Sequence, residues 1–271
     1  MLVRAFILAL MAAVFSSPAV AEKFITLVGT TSTENSGLYE KILPLFIAKT
    51  GIHVRVVSVG TGRAINIARN GDADILLVHH RPSEDKFMAE GYGVKRFDVM
   101  ANDFIIVGPE NDPAGIQGIK SVGEGLARIA AGENAFISRA DDSGTHKKEL
   151  SLWDDAGQDP ATLHDWYKPV GAGMGAALNT AAGMGAYIMS DRASWLNFGN
   201  KGDLALLFSG DAVLFNQYAY LPVNPEKHGH VKHDLAMKLE DWLVSDTAKT
   251  LIDGYTIDGE TLFVFNAKAA D

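Results

Sequence analysis

Apolar positions in this chain come in short β-branched runs, each followed by a glycine- or hydroxyl-rich turn and then by a stretch with helical spacing. Residues 24–28 (FITLV) form the first run and end at Gly29. A polar loop, 30–37, follows. A helix then starts near Ser36 and sets Leu38, Ile42, Leu45 and Phe46 on one face. Thr50 and Gly51 read as its C-terminal stop. Residues 53–59 (HVRVVSV) are a second strand, Gly60-Thr61-Gly62 a turn, and 63–69 a short helix closed by Asn70 and Gly71. Residues 73–79 (ADILLVH) are almost continuously apolar, the pattern of a strand buried on both faces. The order β-α-β-α-β predicts a doubly wound α/β half.

Residues 97–107 (FDVMANDFIIV) read as a long strand with a polar break at Asn102 and Asp103, as suits a strand that crosses between lobes. Turn residues from Gly108 to Pro113 mark a boundary. Ser121 followed by Glu124 is a capping box for a helix over 121–132. A strand at 135–138 (AFIS), a loop at 139–145 and a helix over 146–156 come next. The glycine- and alanine-rich stretch 171–185 holds a close-packed helix beginning after Met174. Short strands are expected at 186–189, 204–208 and 215–223, with a helical turn at 191–198. Residues 231–252 read as one amphipathic helix with Leu235, Leu239, Trp242 and Leu243 on one face. Strands that leave one α/β unit near 105 and return near 210 predict two lobes. The first lobe takes 22–105 and 210–271, and the second takes 106–209. Each is a mostly parallel sheet flanked by helices, with a cleft at the C-terminal strand ends.

The start of the chain reads differently. Arg4, an apolar run over 5–15, Pro18 and the small-residue site Ala19-Val20-Ala21 have the layout of a secretory signal peptide, 1–21, cleaved after Ala21. The apolar run is too short to span a bilayer comfortably. The chain is therefore expected to be exported to the periplasm, with no membrane insertion after cleavage. Of 271 residues 47% are hydrophobic, enough for a substantial core, and the formal charge is −9. No basic stripe is visible, which argues against nucleic acid. There is no cysteine, so disulfides and thiolate metal sites are excluded.

Three loops share one design: a strand, a small hydroxyl- or glycine-rich turn, and a helix start. They are Gly29-Thr30-Thr31-Ser32-Thr33, Gly60-Thr61-Gly62-Arg63 and the stretch 138–145 (SRADDSGT). Free N–H groups at a helix start carry partial positive charge, small residues let an anion approach, and hydroxyls add donors. Arg139 adds a forked, permanent charge. Converging, the three loops suit a tetrahedral oxyanion. A capped helix explains any one of them equally well, and Arg139 has an alternative partner in Asp141 or Asp142. Sulfate, molybdate and tungstate need only donors, whereas hydrogen phosphate needs an acceptor for its proton. Only the third loop offers carboxylates.

Other candidates are weaker. His79 and His80 are adjacent at a strand end, where successive side chains point apart. His228, His230 and His233 lack a carboxylate at a zinc-enzyme spacing. A secreted serine hydrolase built on Ser143, His146 and Asp141 lacks the G-x-S-x-G turn. Trp153, Trp166, Trp195 and Trp242 fall in apolar helical contexts and read as packing.

The strings TTSTENSGLYEKILPLF, VGTGRAI, NGDADILLVHHRPSEDKFMAEGYG, NDFIIVGPENDPAGI and SRADDSGTHKKELSLW follow one another along the chain. They are continued by GAGMGAALNTA, GAYIMSDRASW and LFNQYAYLPVNP. In this order they resemble the tungstate-binding proteins of bacterial ABC importers. The resemblance implies a type II periplasmic binding fold, two lobes closing on tungstate (or molybdate), no catalytic turnover, no cofactor, and a likeness in partners: a permease and its ATPase. It implies ligand-binding roles for Thr31, Ser32, Gly62, Arg139, Ser143 and Thr145. A monomer is expected. Binding of molybdate, sulfate or phosphate is the alternative. Two positions depart from the family pattern. Arg63 stands where an uncharged residue is expected and is a candidate second cation, or else points into solvent. Gln217 replaces a proline and is expected to loosen the crossover at 216–218.

Overall fold

The computed structural model describes residues 23–163 and 165–267. The expected leader, 1–21, with its cleavage site, lies outside the described residues.

Strand β1 (Lys23–Thr30) pairs in parallel with β2 (Ile52–Val59) on one side and β3 (Ile75–Val78) on the other. Helix α1 (Thr31–Asn35) and α2 (Leu38–Thr50) connect β1 to β2, and α3 (Thr61–Arg69) connects β2 to β3. The βαβαβ half expected from the periodicity is present. Helix α4 (Arg81–Ala89) leads from β3 to β4 (Phe97–Pro109). A second half carries α5 (Val122–Ala131), β5 (Phe136–Ser138), α6 (Gly144–Asp155) and β6 (Tyr167–Pro169). It continues through α7 (Met174–Met184), β7 (Tyr187–Asp191), α8 (Arg192–Asn197) and β8 (Leu204–Phe208). The chain then returns along β9 (Phe215–Pro222) to α9 (His233–Leu243) and α10 (Asp246–Asp253).

The strand order β2-β1-β3-β9-β4-β7-β5-β6 makes β4 the shared element. Its first part pairs antiparallel with β9, from Phe97 to Asp103, and its second part pairs with β7, from Phe104 to Val107. Alternation along that second part divides the apolar side chains between two cores. Phe104 and Ile106 face a cluster with Phe136, Trp153 and Leu126. Ile105 and Val107 face one with Ile137, Leu178 and Ile188. In the first half Ile25 and Leu27 pack with Phe46 and Trp242, while Val28 packs with Ala64, Leu76 and Phe87 on the opposite face. The result is a two-lobe α/β fold, each sheet covered by helices on both faces.

Three local expectations need correction. The stretch 31–35 is a helix, α1, rather than a loop. The long strand expected over 97–107 is present as β4, and its two polar residues are partnered: Asn102 meets Asn216 across the ladder and Asp103 is held by Arg192 at 2.7 and 2.6 Å. The C-terminal helix is two helices, since Ser245 accepts from the Ala248 N–H and starts α10. Leu45 turns out of the core, 46% exposed, and Leu43 takes the inward place. The expected cap at Ser121 is present and accepts from Glu124 N at 3.2 Å. At the crossover the Gln217 amide donates to Met100 O, Tyr218 O and Asn266 Oδ1.

Beneath the loop that follows β5 lies Glu149 on α6, which accepts from Tyr167 Oη at 2.7 Å and Ser138 Oγ at 2.9 Å. Burial raises its carboxyl from 4.5 to about 7, and those two hydrogen bonds only partly oppose the shift. The folded chain thus holds this proton more tightly than the unfolded chain does. The stabilisation is complete below the unfolded value and is lost as pH rises through about 7. Glu149→Gln, which has no proton to lose, is expected to remove this part of the pH dependence. Urea unfolding of both proteins at about pH 5 and about pH 8 checks it: wild type should lose stability relative to the variant at the higher pH.

Candidate functional site

Two of the three loops end the neighbouring strands β1 and β2, and the third, which follows β5 across the sheet, packs against the second. Two glycines show how closely. A Cβ on Gly144 would lie 2.8 Å from the His79 ring and 3.1 Å from Thr61 Oγ1. A Cβ on Gly62 would collide with the Asp142 carboxylate, and one on Gly60 would sit 3.5 Å from Asp141 O. The start of α6 in the second lobe therefore rests against the ends of β2 and β3 in the first, backbone to side chain.

The third loop is shaped by its own strain. Ala140 and Asp142 adopt the left-handed backbone conformation, with φ of 48° and 56°, a cost that functional loops carry when their surroundings enforce it. The two reversals bring Asp141 back to Arg139. Arg139 is 2% exposed, donates from Nη2 to Asp141 Oδ2 at 2.5 Å, and reaches Thr145 Oγ1 from Nη1 at 3.4 Å. The ion pair expected as the alternative is present, and it leaves Arg139 Nε without a partner. Ser143 caps α6 by accepting from His146 N at 3.2 Å, and Asp141 Oδ1 accepts from Ser143 N at 3.3 Å. The hydrolase triad does not assemble. The His146 ring accepts from the Asp142 N–H at 3.2 Å, and Ser143 Oγ serves the helix cap. Asp142 is exposed and paired with Lys147 at 3.1 Å.

In the first loop Thr30 Oγ1 lies 3.0 Å from both Ser32 Oγ and Thr33 Oγ1, all three side chains being buried. Ser32 continues the network to His79. The Asn216 amide nitrogen donates to Asn102 Oδ1 at 2.7 Å, so Asn216 Oδ1 is left to accept from His79 Nδ1–H at 2.9 Å. That tautomer makes His79 Nε2 the acceptor for the Ser32 hydroxyl at 3.1 Å. Burial first, and the Arg139 charge as well, lower the His79 pKa to about 4 against the pull of Asn216, so the ring is neutral at pH 7. Its ring lies tilted by 30° against Tyr218, with ring centroids 4.7 Å apart.

Thr31 and Gly62 are half-buried at the same junction, while Ser32, Arg139, Ser143 and Thr145 are buried. Arg63 lies on the exposed side of α3. His80 bonds Ser83 Oγ, and His228 and His230 bond the carbonyls of Arg69 and Gly71 at 2.8 Å each. Several participants escaped the sequence reading: His79 as a network member, Thr61, Asn216, Tyr218, Ser194 and Asp191. Thr61 carried a signal, since it lies inside the GTG turn.

The chemistry of the cleft shows in its unpaired groups. Tyr39 has a side-chain hydrogen bond with Thr33, Tyr218 with Ser32 and Asn102, and Ser194 with Asp191. Thr61 Oγ1 and Arg139 Nε are buried without a partner in the protein. Both can donate. A buried donor without an acceptor costs about 1–3 kcal/mol, so this pair suits a ligand that accepts. Two openings flank the junction. One, about 290 Å³, is lined by His80, Arg81, Lys147, Lys148 and Phe215. The other, about 430 Å³, lies on the side of Glu34, Ser194 and Asn197.

The PBP superfamily domain matches residues 16–247. The tungstate-binding protein TupA of Peptoclostridium acidaminophilum is 44% identical over 91% of this chain and 87% of its own length. A putative ABC transporter anion-binding protein of Haloferax volcanii is 45% identical over 90% of this chain and 72% of its own. The solved structure of the tungstate-binding protein TupA from Desulfovibrio alaskensis G20 superposes with a TM-score of 0.80 at 41% identity, covering 91% of this chain and 100% of that one. The shared fold and the length of the match leave one assignment: the chain belongs to the PBP superfamily and, within it, to the family of the TupA tungstate-binding proteins.

Proposed function

We propose that this chain captures tungstate between its lobes and hands it to an ABC importer, without catalytic turnover. The observation that carries this reading is the buried guanidinium of Arg139, with its Nε and the nearby Thr61 hydroxyl unpaired, beside the junction of the loops. Tungstate is a tetrahedral dianion that only accepts. Enclosure away from water strengthens each hydrogen bond made to it. The same reading assigns ligand contact to Thr31, Ser32, Gly62, Arg139, Ser143 and Thr145, with Thr61 added by the geometry. The names of its relatives support the substrate and the importer.

The proposal extends to the chain's setting. Residues 1–21 export the protein to the periplasm, cleavage follows Ala21, and the mature chain works as a monomer that docks on a permease driven by its ATPase. The crossings near 105 and 210 divide it into a first lobe of 22–105 with 210–271 and a second of 106–209, and they act as the hinge.

Isothermal titration of the chain with tungstate, molybdate, sulfate and phosphate is the test. Tungstate should bind and compete with molybdate; a chain that held phosphate and ignored tungstate would overturn the reading. Arg139→Ala should weaken tungstate binding by at least about tenfold, since hydrogen bonds to a charged group contribute about 1.5–3 kcal/mol each. Gly144→Ala pushes a methyl into His79 and Thr61 while leaving every donor in place. It should also lower affinity, and small-angle scattering should show the liganded variant more open than wild type.

A further inference from the structure

Three buried hydroxyls at the end of β1 meet in a row that ends on a histidine. Thr30 Oγ1 lies 3.0 Å from Ser32 Oγ and from Thr33 Oγ1, and Ser32 Oγ lies 3.1 Å from His79 Nε2. Each hydroxyl has one proton to give and two lone pairs to receive. Three contacts need three protons, so the direction of every bond in the row follows once its last member is fixed.

That member is His79. Its Nδ1 lies 2.9 Å from Asn216 Oδ1, while the Asn216 amide nitrogen is turned to Asn102 Oδ1 at 2.7 Å. Nδ1 therefore carries the ring proton, and Nε2 is a bare acceptor. The Ser32 proton goes to Nε2. Thr30 then gives its proton to Ser32 Oγ, and Thr33 gives its own to Thr30 Oγ1. Two tyrosines join the row, Tyr39 at Thr33 and Tyr218 at Ser32 and Asn102. Burial raises the pKa of both, so both keep their protons at neutral pH. With the protons of Thr33 and Ser32 already spent, both tyrosines donate. Ser32 Oγ then gives one hydrogen bond and receives two, the full capacity of a hydroxyl.

The other tautomer would reverse this. A proton on Nε2 would be given to Ser32, the row would hold one proton more than it has contacts, and the Ser32 hydroxyl would be free to point at an anion. We propose that His79 is a positioning residue: its Nδ1–H tautomer draws the Ser32 proton inward, turns every hydroxyl of the row away from the anion, and leaves the oxyanion to Thr31, Thr61, Arg139 and the third loop. This rests on the oxyanion-binding reading and deepens it, by taking the Ser32 hydroxyl, though not its main chain, out of the donor set. Thr31 stands outside the row and is half-buried, and the Thr61 hydroxyl is buried without a partner. The same ring seats the second lobe, since a Cβ on Gly144 would come within 2.8 Å of His79 Cε1, the carbon between the two nitrogens.

Nitrogen NMR of the imidazole rings reads the tautomer directly, because a protonated and a bare ring nitrogen resonate far apart. In the wild-type chain at about pH 7, His79 should show Nδ1–H and a bare Nε2, both before and after saturation with tungstate. An Nε2–H ring in the free chain, or a change to it when tungstate is added, overturns the proposal, since either releases the Ser32 proton. A doubly protonated ring overturns it as well. Calorimetry tests the division of labour: Thr61→Val should bind tungstate at least about tenfold more weakly, the loss of one hydrogen bond to a charged group, and Thr61→Ser should restore binding. A Thr61→Val chain that binds as tightly as wild type overturns it. A wild-type chain that ignores tungstate sinks the tungstate reading instead. The tautomer of the free chain still decides the role of His79, Nδ1–H in its favour and Nε2–H against it.

Discussion

A guanidinium removed from water is the constraint around which this cleft is arranged. Arg139 keeps its charge at any ordinary pH, so its burial must be offset by fixed partners. Asp141 supplies the charge and Thr145 a hydroxyl, and the loop accepts two left-handed residues to bring them there. Behind the loop, Ser138 and Tyr167 hold Glu149, which ties the end of β5 to the body of α6. One ion pair does not exhaust a five-donor fork. Its Nε and the Thr61 hydroxyl are the buried donors left over.

The second lobe supplies the charge, and the first supplies a neutral scaffold against it. Asn102 on β4 and Asn216 on β9 bond each other where the two lobes are joined, and His79 passes that contact to Ser32. Each link is buried, so each would cost free energy if left open. The strands that connect the lobes are thereby in hydrogen-bond continuity with the loop at the end of β1. An uncharged His79 suits this position, because a second cation there would repel Arg139 and break the acceptor role of Nε2 toward Ser32.

Much of this architecture was legible in the sequence, and the parts that were not have a common cause. The βαβαβ order, the Ser121 cap and the three site loops are local patterns, readable within a few residues. The long strand through Asn102 and Asp103 was legible, but the partners that hold these two polar residues, Asn216 and Arg192, lie 114 and 89 residues away. Helix α1 has no apolar period to announce it, and Ser245 splits the C-terminal helix without a glycine or proline. At the site, Arg139, Ser143 and Thr145 stood out because they share one short motif. Asp191, His79, Asn216 and Tyr218 are single polar residues at the ends of apolar strands. Their meaning appears only when four strands are laid side by side.

Gly62 and Gly144 face opposite ways across the junction, one toward Asp142 and the other toward His79 and Thr61. Without side chains between them, the lobes come together until main chain meets side chain. At Gly144 the closed gap is then set by main chain against the His79 ring, which Ser32 and Asn216 hold in place. Such an enclosure gauges radius: an ion too large props it ajar, and one too small leaves donors stretched on the far wall.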